Sequence, residues 1–348
     1  MTVDSAILQA FVKLGKFLVD FCDNNNQTVS AWEKQLNETI TKAGHQNGWF
    51  TEDNVLFALK QWGNLLTEDN LVNWLSKYQI DSNQEEKTIA IIMAGNIPLV
   101  GFHDFICVLL SGHKVLAKLS SNDKVLLPFI ANYLIDSEKS LKDNISFTDE
   151  KLNSFDAVIA TGSNNTGRYF EYYFGKHPNI IRKNRNSIAV LTGNESKEEL
   201  KPIGEDIFRY FGLGCRSVSK LFVPKDYDFA HFFESIFEYD TVINTSKYAN
   251  NYDYNKAVYL MSDFKLYDNN FILLKEDDGY GSPIGTIYYE YYANIEELQG
   301  KLKADKNQLQ CIVSDGSIIN SLPFGNTQKP SLNDYADGVD TIQFLLDL

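Results

Sequence analysis

Residues 87–121, "KTIAIIMAGNIPLVGFHDFICVLLSGHKVLAKLSS", decide the fold class. "KTIAIIMAG" is an unbroken apolar run of strand length, "IPLVGFHDFICVLLSG" reads as a helix, and "HKVLAKLSS" as a second strand. A strand, a helix and a strand in that order imply parallel pairing with a crossover, because adjacent parallel strands cannot be joined by a tight turn. The pattern continues downstream. "NDKVLLPFIANYLI" and "NNTGRYFEYYFG" read as helices around the strand "SFDAVIATG", followed by strands at "NIIRK" and "NSIAVLTG". "SKEELKPIGEDIFRYFG" reads as one amphipathic helix running into Cys215, and "SKLFVP" as the strand after it. Next come a helix near "DFAHFFESIFEY", a tyrosine-rich strand pair around "GTIYYEYYA", the helix "NIEELQGKLKA" and the strand "LQCIVSDG". The fold class is therefore α/β with parallel sheets. Upstream, residues 1–80 read as helical: "SAILQAFVKLGKFLVDF" repeats apolar residues every three or four positions. The repeated "TEDN" at Thr51 and Thr67 supplies a threonine cap and first-turn acids to each of two helices.

Composition narrows the function classes. The chain has 348 residues, 44% hydrophobic and 22% charged, which fits about two domains with a large core. A net charge of -14 repels phosphate backbones and argues against nucleic acid as a partner. No apolar run approaches the ~18 residues of a membrane span. The first twenty residues lack the basic start and cleavage site of a secretory leader. Cys22, Cys107, Cys215 and Cys311 show no paired spacing, which suits a reducing cytoplasm. The five histidines stand apart, so no metal site is expected.

Four features could carry chemistry. In "FRYFGLGCRSVSKLFVP" (208–224), Cys215 follows Gly212 and Gly214 and precedes Arg216, Ser217 and Ser219, backbone freedom on one side and polar partners on the other. A reactive thiol suits that setting, although most cysteines outside disulfides are small core hydrophobes. Asn96 follows a buried strand, where a side-chain amide could donate to an oxyanion or simply cap the next helix. Lys118, Ser120 and Ser121 end a strand, able to hold a ribose or 2′-phosphate or to stand solvated. "ATGSNNTG" (160–167) places Gly162 and Ser163 between a strand and a helix N-terminus, suited to a phosphate or ribose hydroxyl, or to a plain connection. It matches neither a Walker loop nor GxGxxG.

The order of these segments resembles the aldehyde dehydrogenase superfamily, and within it the acyl-CoA reductase family that includes the fatty-acid reductase of bacterial bioluminescence. "AGNIPLVG", "GHKVLAKLSSND", "IATGSNNTG", "FGLGCRSVSKLFVP" and the closing "PFGNTQKPSLNDYADGVDT" carry the likeness, which runs from about Thr88 to the C-terminus. The resemblance implies two parallel-sheet α/β domains behind a helical N-terminal region. Residues 1–205 would be that region plus a nucleotide-binding domain, 206–320 a catalytic domain, and 321–348 a segment returning across the first domain. It implies that Cys215 is the nucleophile and that Asn96 and the Cys215 N–H form the oxyanion hole. Lys118 and Ser120 would hold the adenosine ribose, and Gly162 and Ser163 would face the nicotinamide cofactor. An acyl-CoA or acyl-carrier substrate, an acyl-transferring partner protein and a homodimer are the partners it allows.

Departures from the pattern sharpen the expectation. Where aldehyde-oxidising relatives carry a water-activating glutamate, this chain has "RKNRNS", with Arg182 in its place. Without that base, hydrolysis of an acyl-enzyme should be slow and reductive release of an aldehyde favoured. Ser121 stands where relatives that prefer NAD place an acid, so NADPH is expected, with NADH as the alternative. "DDGYGSPIG" lacks the glutamate that grips the nicotinamide ribose, leaving Asp277 or Asp278 as substitutes. "YYEYYA" could line an acyl tunnel or form an ordinary sheet face. The competing readings are a reductase of short or phosphate-activated acyl groups, and a non-catalytic module that binds an acyltransferase.

Overall fold

The structure is a computed structural model that describes residues 4–24, 29–80, 85–262 and 264–348. Its chain divides into two units, Met1–Lys183 with Ser331–Leu348, and Asn184–Pro330. The first unit opens with four helices, α1 (Ser5–Asp23), α2 (Ala31–Gln46), α3 (Glu52–Leu65) and α4 (Glu68–Leu75). Ile7, Leu8, Phe11, Leu14, Leu18 and Phe21 form the buried stripe of α1. Its Gly15 lies so near α3 and the turn after it that a Cβ there would sit 2.5 Å from the Leu66 carbonyl oxygen. Thr51 and Thr67 cap α3 and α4, each accepting at 3.3 Å from the amide three residues on.

The unit's sheet is built from β1 (Thr88–Ile92), β2 (Lys114–Lys118), β3 (Ile145–Phe147), β4 (Ala157–Thr161) and β5 (Asn179–Arg182). Helices α5 (Phe102–Leu110), α6 (Leu126–Ser137) and α7 (Asn164–Phe174) make connections between them. All pairings are parallel, in the order β3-β2-β1-β4-β5. Burial on both faces explains the unbroken apolar run of β1. Ile89 and Ile91 join the core formed by α5, α6 and the N-terminal helices. Ala90 packs on the opposite face with Val158, Ala160, Phe170 and Phe174. The chain builds outward from β1 to β3, then returns to lay β4 on the other side of β1. That reversal opens a crevice at the carboxyl ends of β1 and β4, where ligands of open α/β sheets bind.

The second unit holds β6 (Asn186–Val190), α8 (Lys197–Leu200), α9 (Ile203–Phe208), β7 (Val218–Pro224), α10 (Phe229–Ser235) and α11 (Ser246–Met261). Then follow β8 (Leu266–Asp268), β9 (Leu273–Glu276), β10 (Thr286–Tyr292), α12 (Ile295–Ala304) and β11 (Leu309–Val313). Its sheet order is β11-β6-β7-β10-β9-β8, parallel except for the edge strand β8. The chain's last helix, α13 (Thr341–Leu346), belongs to the first unit, where Ile342 and Leu345 are buried.

Several expectations change. The units divide at 183/184 and 330/331 rather than at 205 and 320, because β6 is hydrogen-bonded between β7 and β11 of the second sheet. "SKEELKPIGEDIFRYFG" is two short helices rather than one, interrupted around Pro202, whose nitrogen has no hydrogen to donate. "GTIYYEYYA" is one strand, β10, between β7 and β9, instead of a strand pair. The helix expected from Ile97 starts at Phe102, after a turn in which Leu99 takes a φ of 57°. The sequence reading passed over β3 and α11.

Candidate active site

Six of the expected site residues lie along the carboxyl edge of the first sheet. β1 ends beside β2, where the Met93 N–H donates to the Lys118 carbonyl at 3.1 Å. Gly95 then passes so close to the β2 end that a Cβ would sit 2.5 Å from Ser120 Oγ. A side chain there would push these two loops apart. Half-buried Asn96 follows in the turn that leads to Leu99. Asp123, three residues after Ser120, accepts from the Leu99 N–H at 3.4 Å and the Leu126 N–H at 3.3 Å. Burial pushes its carboxyl up from the ordinary range. Lys118 Nζ donates to the Glu150 carbonyl at 2.7 Å, Ser120 Oγ accepts from the Asn122 N–H at 3.2 Å, and Ser121 is exposed.

At the end of β4 the Gly162 N–H donates to the Arg182 carbonyl at 3.2 Å. Ser163 caps α7, its Oγ accepting from the Thr166 N–H at 3.2 Å and pairing with Thr166 Oγ1 at 2.9 Å. A Cβ on Gly162 would press on Phe170 and Thr166 at 3.0 Å. Gly162 and Ser163 therefore have a local task in starting α7. That start is exposed and has no acid in its first turn, which leaves its amide dipoles open to an anion.

Arg182 ends β5, and its side chain is buried. It is ion-paired to Asp104 of α5, and a second guanidinium nitrogen donates to Thr341 Oγ1 of α13 at 3.0 Å. Burial opposes the charge on Arg182; Asp104 outweighs it and holds the guanidinium protonated above its usual range. Arg182 thus ties three elements of the unit together and offers no base.

Cys215 belongs to the second unit, on an exposed turn between α9 and β7. The approach is unusual: Tyr210, Phe211 and Gly212 take φ of 56°, 58° and 78°, three consecutive left-handed residues. For the two aromatics this conformation is costly and persists only where surrounding structure over-determines it. Gly214 and Ser217 close the turn, with the Ser217 N–H donating to the Gly214 carbonyl at 3.0 Å. The Cys215 carbonyl accepts from Ser187 Oγ at 2.9 Å, and that hydroxyl accepts in turn from the Cys311 N–H at 3.1 Å. Arg216 Nε donates to the Thr327 carbonyl, and Gln328 Nε2 donates to Ser217 Oγ at 3.3 Å. Fully buried Asp206 of α9 accepts from the Gly325 N–H at 2.6 Å, the Thr327 N–H at 2.9 Å and Thr327 Oγ1 at 2.8 Å. The closing stretch "PFGNTQKP" is thereby laced to the cysteine turn.

The other cysteines have different surroundings. Cys107 and Cys311 are buried, and burial pushes Cys107 well up and Cys22 up to about 11. Such thiols are poor nucleophiles. Asp277 is committed to Lys275 and to the Gly279 N–H at 2.9 Å, whereas Asp278 is exposed and uses its carbonyl to accept from Lys220 Nζ at 2.9 Å. "YYEYYA" packs as a sheet face: the Tyr289 ring lies tilted against those of Phe229 and Tyr267, and Glu290 pairs with Lys220 and Lys301. Reading the sequence did not single out Ser187, Asp206, Thr327, Gln328 or Asp123. One signal was available: Asp206 shares a helical face with the apolar Ile203 and Ile207, and an acid on a buried face needs partners.

None of the described helices is long and apolar enough to cross a membrane. Solved structures resemble the chain in fold. Aldehyde dehydrogenase 21 from Physcomitrella patens, in complex with its product succinate, matches with a TM-score of 0.64 at 10% identity, over 98% of this chain and 83% of that one. An aldehyde dehydrogenase C mutant from Pseudomonas syringae, complexed with NAD+ and octanal, matches with a TM-score of 0.60 at 13% identity, over 89% and 75%. An oxidoreductase from Marinobacter aquaeolei gives 0.61 at 12% identity, over 88% and 73%. At these identities the likeness shows the fold. No curated protein matches the chain. The family model for the acyl-CoA reductase LuxC matches residues 37–236, more than half of the chain and both the Asn96 and Cys215 segments. The protein belongs to the LuxC acyl-CoA reductase family and is an oxidoreductase with an aldehyde dehydrogenase-like fold.

Proposed function

We propose that this protein reduces a fatty acyl thioester to the aldehyde through an acyl-Cys215 intermediate, with NADPH as reductant. The observation that carries the reading is the exposed Cys215 on a turn hydrogen-bonded at its own carbonyl and at both following residues. A nucleophile needs an accessible sulfur on a backbone that does not wander.

The donor set of the first unit fits a nicotinamide dinucleotide. The Lys118 ammonium and the Ser120 and Ser121 hydroxyls stand at one strand end, and the exposed start of α7 stands across the switch point. Lys118, Ser120 and Ser121 would hold the adenosine ribose and a 2′-phosphate, and Gly162 and Ser163 would lie against the cofactor. When bound, a reduced nicotinamide supplies hydride.

The rest is the chain's own chemistry. The Cys215 thiolate attacks the thioester carbonyl carbon, the bond to the coenzyme A sulfur breaks, and coenzyme A leaves as its thiol after taking a proton. The Asn96 side-chain amide and the Cys215 N–H are the donors assigned to the oxyanion of this addition. Hydride supplied by the reduced nicotinamide, with a proton on the acyl oxygen, would leave a thiohemiacetal on Cys215. Its collapse breaks the carbon–sulfur bond, releases the aldehyde and returns the thiol. Hydrolysis would compete only with a base to activate water, and the side chain at position 182 is a buried arginine held by Asp104.

The test is NADPH consumption together with trapping of aldehyde from a long-chain acyl-CoA, wild type beside Cys215→Ala. Aldehyde from wild type alone supports the reading. Full activity in the variant, or no aldehyde from either, removes it.

A further inference from the structure

Asp206 lies nine positions before Cys215 in sequence, on a different element, and touches no residue of the 214–217 turn through the bonds described above. Its three donors all belong to residues 325–327. Those bonds use both carboxylate oxygens: Oδ2 takes the Gly325 N–H and Oδ1 takes both donors of Thr327. From Thr327 the connection continues, because its carbonyl receives Arg216 Nε and its neighbour Gln328 donates to Ser217. The two residues after Cys215 are thus anchored to a segment that Asp206 holds.

The residues before Cys215 make that anchorage necessary. Tyr210, Phe211 and Gly212 form a left-handed run that would relax toward ordinary φ values if the turn were let go. Gly325, with φ of 82°, passes so close to Pro202 that an added Cβ would sit only 2.8 Å from the proline Cβ, which seats the closing segment against the start of α9. We propose that Asp206 is a positioning residue for the nucleophile: acting through Thr327, it fixes the direction of the Cys215 backbone N–H and sulfur. The inference rests on the functional reading above, and it extends the machinery to a buried acid whose bonds go to Gly325 and Thr327.

The chemistry of the site predicts how it fails. In Asp206→Asn the amide can still accept from Thr327, but an NH2 group meets the Gly325 N–H, donor against donor. Thr327→Val removes the hydroxyl donor and keeps the shape, and Thr327→Ser restores it.

Two readouts test the proposal. The first is hydrogen–deuterium exchange, which needs no substrate: Asp206→Asn and Thr327→Val should raise exchange of the 214–217 amides at least severalfold while β6 and β10 stay protected. The second is the burst of coenzyme A release from a long-chain acyl-CoA. Its rate should fall about tenfold in Asp206→Asn and severalfold in Thr327→Val, with burst amplitude and NADPH affinity retained and Thr327→Ser near wild type. A role confined to stability would lower the amplitude instead of the rate. Unchanged 214–217 exchange in both variants, or an unchanged burst rate beside a normal wild-type burst, overturns the inference. Should wild type itself show no burst, the functional reading falls, and the exchange result still decides the role of Asp206. If Asp206→Asn does not fold, Thr327→Val carries both readouts.

Discussion

Arg182 and Asp104 form a buried ion pair inside the first unit, at the chain position where the resemblance to aldehyde-oxidising enzymes had called for a water-activating glutamate. Removing one partner strands the other charge in a medium that solvates it poorly. Arg182→Met should therefore lower unfolding stability by about 3–5 kcal/mol, read from urea midpoints. Arg182→Glu would place two acids together and should cost at least as much without creating a thioester hydrolase. Acid release from an acyl-CoA by that variant would show that position 182 reaches the chemistry.

Asn96 stands at the end of β1 in a turn whose Leu99 N–H is held by Asp123. Loss of one oxyanion donor typically costs about 10²–10³ in kcat. Asn96→Ala should lower the acylation rate within that range and leave NADPH affinity unchanged, as measured by stopped-flow release of coenzyme A and by nucleotide fluorescence. A loss of nucleotide affinity with normal acylation would reassign Asn96 to the cofactor.

Ser121 is exposed beside Ser120 and brings no negative charge to the end of β2. An acid introduced there would repel a 2′-phosphate. Ser121→Asp should reduce the ratio of kcat/KM for NADPH over NADH by about tenfold, which corresponds to about 1.4 kcal/mol. An unchanged ratio would place the 2′-phosphate elsewhere.

Two histidines make the stability of the first unit depend on pH. His103 is held at 3.0 Å by the Leu332 carbonyl, and His113 lies between the Lys87 N–H at 3.2 Å and the Leu345 carbonyl at 3.0 Å. Burial lowers both from the ordinary 6.5, so the unfolded chain takes up protons first as the pH falls. The stability is present above about pH 6.5 and is lost toward the depressed folded values, by up to about 1.4 kcal/mol per pH unit for each histidine. Urea midpoints should drop as the medium is acidified, and His113→Gln should flatten the drop. A flat wild-type profile would contradict the buried neutral rings.

Most strands and helices of the first unit, β3 excepted, were legible because burial on two faces writes itself as continuous apolar runs, as in "KTIAIIMAG", and because threonine caps announce α3 and α4. The residues expected around the crevice follow strands for the same reason. Other features had no local signal. Tyr210 and Phe211 are bulky residues that disfavour the left-handed region they occupy, so nearby sequence argued for continued helix. Helix α11 buries Tyr248, Tyr252, Asn255 and Tyr259, which are at helical spacing but are tyrosines and an asparagine among further tyrosines and asparagines, so the stripe has no aliphatic contrast to reveal it. The Asp206–Thr327 contact joins residues 121 positions apart, and only the folded sheet brings them together. The unit boundary was misplaced because β6 looks like one more strand of the first series until its hydrogen bonds are known.

The most direct measurement is the mass of the protein after mixing with a long-chain acyl-CoA in the absence of any nicotinamide, followed by peptide mapping. The account predicts one acyl group per chain, carried as a thioester on the peptide that contains Cys215, released as aldehyde when NADPH is added and absent from Cys215→Ala. An unmodified chain, or an acyl group carried on Cys22, Cys107 or Cys311 instead, would contradict it.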